Sequence, residues 1–294
     1  MIKLGSHISF KKPNYLLDAI KESIDNSANC MMIYLGAPQT TLRAKVEDYH
    51  YEEYLKDYSN IIKAEDILVH APYIVNPASP LKYKFATNFL IEEIKRMNYI
   101  KAKYLVLHPG SSTEFSRKES LDCLINSLKE ILNKTEDVVI CLETMAGKGS
   151  QVCSSFEELL YVINNIKSDR VAICLDTCHV WDAGYNIKNY EEFKTMLKNK
   201  DILKHIKVIH LNDSLNDIRS KKDRHANLDK GYIGLETLKK FVYDQDFDNI
   251  PIILETPYID NKPPYKKEIA ILLNKNLDDL EENQKLVLKK NEVW

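Results

Sequence analysis

The feature that most constrains this chain is a short apolar run that recurs, each time ending in a histidine or a carboxylate. ILVH ends at His70, YLVLH at His108, VVICLE at Glu143, VAICLD at Asp176, KVIH at His210 and PIILE at Glu255. From His70 to Glu255 the successive endings lie 38, 35, 33, 34 and 45 residues apart. Amphipathic stretches of helical period fill the gaps: Phe85–Ala102, Ser120–Leu132, Phe156–Ile166, Tyr190–Leu197 and Leu235–Tyr243. Two further β-like runs, Ile2–Leu4 and Met31–Leu35, precede the six and bring the total to eight strand–helix units. Continuously apolar strands suit a parallel sheet covered on both faces. Eight units of this period predict an α/β fold, a single (β/α)8 TIM barrel spanning residues 1–294. The longer interval after His210 predicts an enlarged loop after strand 7, and Leu273–Trp294 reads as a charged C-terminal helix or tail.

Composition is compatible with this. The 294 residues are 44% hydrophobic and 29% charged, enough to bury a core and too apolar for a disordered chain. No Gly/Ser/Pro-rich linker divides them. The formal charge of -2 provides no global basic field for nucleic acid, although bound cations can reverse the sign of a local site. The opening MIKLGSHISFKKPNYLL has no apolar signal core, and no stretch of about 20 apolar residues is present. The expected location is the cytoplasm, with no membrane partner.

The six cysteines are dispersed and expected to be reduced. Cys174 and Cys178 form C-x3-C with no second pair, which argues against a thiolate zinc knuckle. Cys141 and Cys174 stand two residues before Glu143 and Asp176, on the same side of their strands and one layer deeper, as small core fillers.

In a barrel, the carboxyl ends of the strands converge on one mouth, where active sites sit. One polar ending is merely where a strand leaves the core. Six drawn from His, Asp and Glu are harder to dismiss, since Lys, Ser, Thr, Asn and Gln would serve equally well as exits. ICLDTCHVWDAGY adds His179 three residues after Asp176, and DRH adds Asp223 and His225. Nine candidate ligands result, five histidines and four carboxylates, which are donors that zinc and similar divalent metals accept. One zinc takes three or four, so nine imply more than one metal, and three if a carboxylate bridges. Four clustered carboxylates would repel without cations. With three divalent ions the centre becomes net positive and attracts phosphate.

Several motifs resemble, in order along the chain, the endonuclease IV family of apurinic/apyrimidinic DNA endonucleases. They are GSHIS (Gly5–Ser9), HAPY (His70–Tyr73), LETMAG (Leu142–Gly147), DTCHVWDAGY (Asp176–Tyr185), HLNDS (His210–Ser214) with DRH (Asp223–His225), and LETP (Leu254–Pro257). The resemblance implies a barrel with three zinc ions, manganese being able to take a similar site. It implies that His70, His108 and Glu143 hold one ion, and that Glu143, Asp176, His210 and Glu255 hold a second, with Glu143 bridging. His179, Asp223 and His225 would hold the third. Catalysis would centre on Glu143, over which the attacking water is held, with the third ion meeting the departing 3′-oxygen. The implied partner is double-stranded DNA containing abasic sites, cut on the 5′ side to leave a 3′-hydroxyl and a 5′-deoxyribose phosphate. The chain departs from the family pattern at Thr144, where Asn is usual, at Leu215, where Lys is common, and at Leu228–Asp229, which replaces a glycine-containing step.

Selecting an abasic site requires side chains that fill the gap left by the extruded sugar. Tyr73 and Ile74, just beyond His70, are the candidate wedge, and the resemblance adds Gln39 and Arg43. Lys222 and Arg224, with Arg219 and Lys221 nearby, are candidate phosphate contacts. The expected state is a monomer. The runner-up reading is a sugar isomerase or epimerase on the related xylose-isomerase-like barrel, which needs only Glu143, Asp176, His210 and Glu255. A non-catalytic binder of damaged DNA that uses zinc structurally is the third, and the lack of a closed cysteine site argues against it.

Overall fold

The computed structural model describes residues 1–280. Eight parallel strands close into a barrel: β1 (Lys3–Ile8), β2 (Cys30–Ile33), β3 (Ile67–His70), β4 (Tyr104–Leu107), β5 (Val139–Glu143), β6 (Val171–Asp176), β7 (Ile206–His210) and β10 (Pro251–Leu254). Neighbours follow chain order, and β10 closes the ring against β1, with Lys3 opposite Pro251 and Ser6 opposite Leu254. Helices α1 (Leu16–Asp25), α3 (Tyr83–Tyr99), α4 (Arg117–Lys134), α5 (Phe156–Ile166), α7 (Tyr190–Asn199), α8 (Leu235–Tyr243) and α9 (Tyr265–Leu272) lie between or after the strands, with α2 (Tyr51–Asp57) added before β3. Strands β2, β3, β6 and β10 are buried at every position, which is why they lack polar alternation.

The barrel interior is a small apolar cluster that includes Cys30, Met32, Leu68, Val106, Cys141, Cys174 and Val208. The six cysteines are free, and five are buried. Cys178 is buried, and burial pushes its thiol far up, as for a small core filler. The larger core lies between strands and helices, and the helix starts are set locally. Ser116 and Glu119 form a reciprocal capping box at α4, and Ser155 receives the Glu158 N–H at α5.

After β7 the chain makes the expected enlarged loop, organised by a two-stranded antiparallel ladder, β8 (Asp213–Ser214) with β9 (His225–Ala226). Buried Asp213 accepts N–H groups from Ser214, Gly231, Ile233 and Gly234 and so folds the loop around one carboxylate. A Cβ on Gly231 would stand 2.3 Å from the Ser214 carbonyl oxygen, so Gly231→Ala should loosen this loop and lower metal retention before it lowers the melting temperature of the barrel. Elemental analysis beside a thermal melt checks that order. Asp229 stands in left-handed backbone at φ 61°, a conformation that Asp tolerates better than most side chains, so the step is made there without a glycine.

At the far end, residues 277–280 are helical, whereas residues 281–294 of the expected C-terminal tail lie outside the described residues. Among the described residues, no helix is long and apolar enough to cross a membrane.

Candidate metal centre

All nine candidate ligands meet at the carboxyl ends of the strands. His70, Glu143, Asp176 and His210 are the last residues of β3, β5, β6 and β7, and His108 and Glu255 lie one residue beyond β4 and β10. His179 is on α6 (Thr177–Ala183), the turn of helix that follows β6 directly. Asp176 caps α6: its Oδ1 accepts the His179 N–H at 2.8 Å, leaving Oδ2 to face the centre. The Asp-x-x-His spacing is therefore an N-cap spacing, and it aims both side chains at one point. Asp223 and His225 arrive on the enlarged loop.

Three groups of donors form, each with its atoms within 4.8 Å of one another: His70, His108 and Glu143; Glu143, Asp176, His210 and Glu255; and Asp176, His179 and His225. Glu143 joins the first two groups, its Oε2 lying 3.2 Å from His70 Nε2 and 3.1 Å from His108 Nε2, and its Oε1 3.1 Å from His210 Nδ1. Asp176 joins the second and third groups, 3.8 Å from His210 Nδ1 and 3.7 Å from His225 Nε2. Asp223 Oδ1 stands 2.8 Å from His179 Nε2 and 3.9 Å from His225 Nε2. The third group thus holds Asp176 where the sequence expectation has Asp223, which stands beside the group against His179.

The donor set fits divalent metals, on an observation about tautomers. His70 Nδ1 is 2.7 Å from the Ala71 carbonyl, His179 Nδ1 is 2.9 Å from that of Thr144, and His225 Nδ1 is 3.2 Å from that of Glu255. A carbonyl only accepts, so each Nδ1 carries a hydrogen and each Nε2 is turned toward a carboxylate, His70 toward Glu143, His179 toward Asp223 and His225 toward Asp176. Ring nitrogens and carboxylate oxygens converging on one space are a donor set that a divalent cation accepts. Among the described residues, buried His225 Nε2 has no hydrogen-bond partner. Rings held by one nitrogen and bare at the other are the usual arrangement around a bound metal.

Charge is concentrated here. Burial disfavours ionised Glu143 and Glu255, yet the surrounding histidines hold both well below the usual carboxylate range. Burial pulls His179 and His210 down, and their anionic neighbours more than reverse it, raising both well above the usual histidine range. Burial prevails at His70, which is lowered.

Three residues missed from sequence hold the candidate ligands in place. Asn212 donates to Asp176 Oδ2 at 2.8 Å and accepts the Glu255 N–H at 2.9 Å, tying two strand ends together. Asp182 accepts the Asp223 and Lys222 N–H groups and the Ser214 hydroxyl. His7, on β1, pairs with Glu255 at 3.0 Å. All three sit inside motifs that the sequence displays, HLNDS, DTCHVWDAGY and GSHIS, which was the available signal. Thr144 has a role too: its hydroxyl accepts the Asp176 N–H at 2.9 Å.

The centre opens into a cavity of about 640 Å³ whose walls include Tyr34, Tyr258 and Lys11. Tyr73 is 51% exposed and Ile74 37% exposed, so both are available to a partner, and Gln39, Lys222 and Arg224 are exposed as well. Arg43 must be removed from the DNA-contact set. Its side chain is buried, donates from Nε to both carboxylate oxygens of Glu93 at 2.9 Å and from Nη1 to the Thr40 and Leu42 carbonyls, and stacks on Phe89, so the guanidinium is anchored inward.

Fold and site together define a xylose isomerase-like TIM barrel with a histidine–carboxylate mouth, and the family model of that description matches residues 25–275. The chain is 67% identical over 275 residues to the probable endonuclease 4 of Mycoplasmopsis synoviae, covering 94% of this chain and 99% of that one. It is 66% identical over 273 residues to the probable endonuclease 4 of Mycoplasmopsis agalactiae, covering 93% and 98%. Endonuclease IV from Thermus thermophilus superposes with a TM-score of 0.77 at 24% identity, covering 92% of this chain and 99% of that one. A D-tagatose 3-epimerase-like protein also superposes, with a TM-score of 0.66 at 22% identity over 98% of this chain and 99% of that one, and shows the shared fold alone. The chain belongs to the endonuclease IV family.

Proposed function

We propose that this protein is a zinc-dependent apurinic/apyrimidinic endonuclease that hydrolyses the phosphodiester on the 5′ side of an abasic site in double-stranded DNA, acting as a monomer. The observation that carries the reading is the merging of three donor groups through Glu143 and Asp176. A sugar isomerase of the same fold would need the middle group and would leave His70, His108, His179, Asp223 and His225 without a task. When bound, the metals supply a water that ionises near neutral pH and positive charge at the oxygens that exchange on phosphorus. Glu143 holds the floor between the first two groups, where the attacking water is positioned. His179, Asp223 and His225 lie to one side, where the leaving 3′-oxygen is met. The expected products are a 3′-hydroxyl and a 5′-deoxyribose phosphate. Tyr73 and Ile74, on the rim beyond His70, fill the space left by the missing base.

The direct test is elemental analysis on the same sample as a nicking assay with a tetrahydrofuran-containing duplex. Three zinc ions per chain and 5′ nicking are expected. A metal count near one, with turnover of a ketose, would favour the isomerase. His179→Ala should remove one ion and most of the nicking while the fold persists, and retention of all three would refute the third group. Tyr73→Ala should weaken binding of the abasic duplex about tenfold by fluorescence anisotropy, with metal content unchanged. An unchanged affinity takes Tyr73 out of the wedge.

A further inference from the structure

Beside the metal centre lies a second cavity, of about 280 Å³, which the reaction described above does not use. It is built where three loops meet, each leaving a ligand of the centre: Gly147 follows Glu143 by four residues, Ala183 follows His179 by four, and Lys221 precedes Asp223 by two. Its walls include Ser154, Tyr185, Arg219 and Lys221, and no carboxylate among the described residues lines it.

The polar groups here are of one kind. Among the described residues, Arg219 and Lys221 have no hydrogen-bond or ion-pair partner for their side chains, although the chain carries 43 acidic residues. The Ser154 hydroxyl accepts from Arg117 at 3.3 Å, and the Tyr185 hydroxyl accepts the Phe156 N–H at 3.2 Å. Each therefore keeps its own O–H to donate. Two cations and two hydroxyl donors facing a carboxylate-free space form a site for an anion.

The backbone that presents the cations is pinned. Arg219 N–H donates to the Trp181 carbonyl and Lys221 N–H to that of Asp182, both at 3.2 Å. Arg219 and Lys221 both take left-handed backbone, at φ 65° and 53°. Holding two non-glycine residues there requires such contacts, since the conformation costs about 1–2 kcal/mol per residue. A Cβ on Gly184 would stand 2.7 Å from Arg219 Cγ, so the glycine makes the room in which the arginine lies.

We propose that this cavity binds a backbone phosphate of the DNA, one that flanks the bond to be cut. Lys221 is two residues from Asp223, so their Cα atoms are at most about 7 Å apart, which puts the bound phosphate close to the scissile one along the strand. The space accepts a phosphate group together with waters of roughly 30 Å³ each. The proposal rests on the reading of the protein as a DNA-cleaving enzyme, and it adds a register: with one phosphate seated beside Arg219 and Lys221, the strand can slide neither way across the metals.

The test uses the full chain carrying Arg219→Met and Lys221→Met. Binding to an intact duplex and to an abasic duplex should weaken about tenfold at low salt. The slope of log affinity against log salt should become shallower by about 0.9, the value for one phosphate contact. A scan of single methylphosphonate substitutions should find one position that weakens the unsubstituted protein and has no effect on the variant. An unchanged salt slope, or a variant that responds to every methylphosphonate as the parent does, overturns the proposal. Lys221→Gln alone, at an exposed and unpaired side chain, gives the same readings at reduced size should the double variant not fold. Absence of nicking with zinc restored would refute the endonuclease reading, whereas intact-duplex binding still decides the phosphate site.

Discussion

Glu143→Gln should abolish nicking of an abasic duplex, by at least about 10³-fold, while the barrel remains folded. The substitution keeps the volume of the side chain and removes one charge. In the native chain both oxygens are engaged: Oε2 faces His70 and His108, and Oε1 faces His210 and His179, all within 3.3 Å. An amide is neutral and offers one oxygen, so both groups sharing this residue lose its charge and one of them meets an N–H where a carboxylate lone pair stood. Metal should leave the first two groups, and elemental analysis should find the third still filled. The fold should survive because the strand is held by backbone pairing of Glu143 with Cys174 and by the apolar cluster beneath it. A variant with the parent's metal content and nicking rate would remove Glu143 from the catalytic role.

The second large effect is expected at a residue that is not a ligand. Asp182 is fully buried, and its carboxylate gathers the Ser214 hydroxyl at 2.8 Å, the Lys222 N–H at 3.1 Å and the Asp223 N–H at 2.8 Å. Asp223 itself sits in left-handed backbone at φ 56°, so the segment needs these contacts to stay where His179 can meet it. Asp182→Ala leaves two main-chain donors without their acceptor and should lower stability by about 1–3 kcal/mol. More specifically, it should weaken zinc at the third group about 10–100-fold, with nicking recovered by added zinc. A zinc titration followed by nicking separates this from a general loss of stability, which would lower the melting temperature and leave the titration unmoved. Asp182→Asn, which keeps one acceptor oxygen, should recover part of the affinity.

Much of the architecture was legible because its causes are local and periodic. Strands buried on both faces must be apolar throughout, and each must end where the core ends, so VAICLD and VVICLE announce both element and boundary. Helices Phe156–Ile166 and Leu235–Tyr243 carry strong apolar stripes and match their expected limits. The nine side chains at the mouth were legible for a related reason, since their type is unusual for strand exits.

What was not legible depends on contacts between segments far apart in the chain. Arg43 looked like a surface arginine in a polar loop, and only the fold brings Glu93 beneath it. Asp182 carries no signal of its own within DTCHVWDAGY, and only the enlarged loop folding back over it reveals what its carboxylate holds. The sharing of Asp176 between two groups follows from the capping geometry of α6, which spacing suggests but does not measure.

The way the three histidine rings are fixed has a consequence for how such a site tolerates change. His70, His179 and His225 are each oriented by a main-chain carbonyl, from Ala71, Thr144 and Glu255 respectively. A carbonyl belongs to the backbone, so the side chain at the same position can be exchanged without altering which ring nitrogen carries hydrogen. Position 144 illustrates it: a threonine there still turns its carbonyl to His179, and its hydroxyl is free to take up a different task on Asp176. The orientation of these three rings is thus inherited from the path of the chain, and drift in the neighbouring side chains leaves it intact.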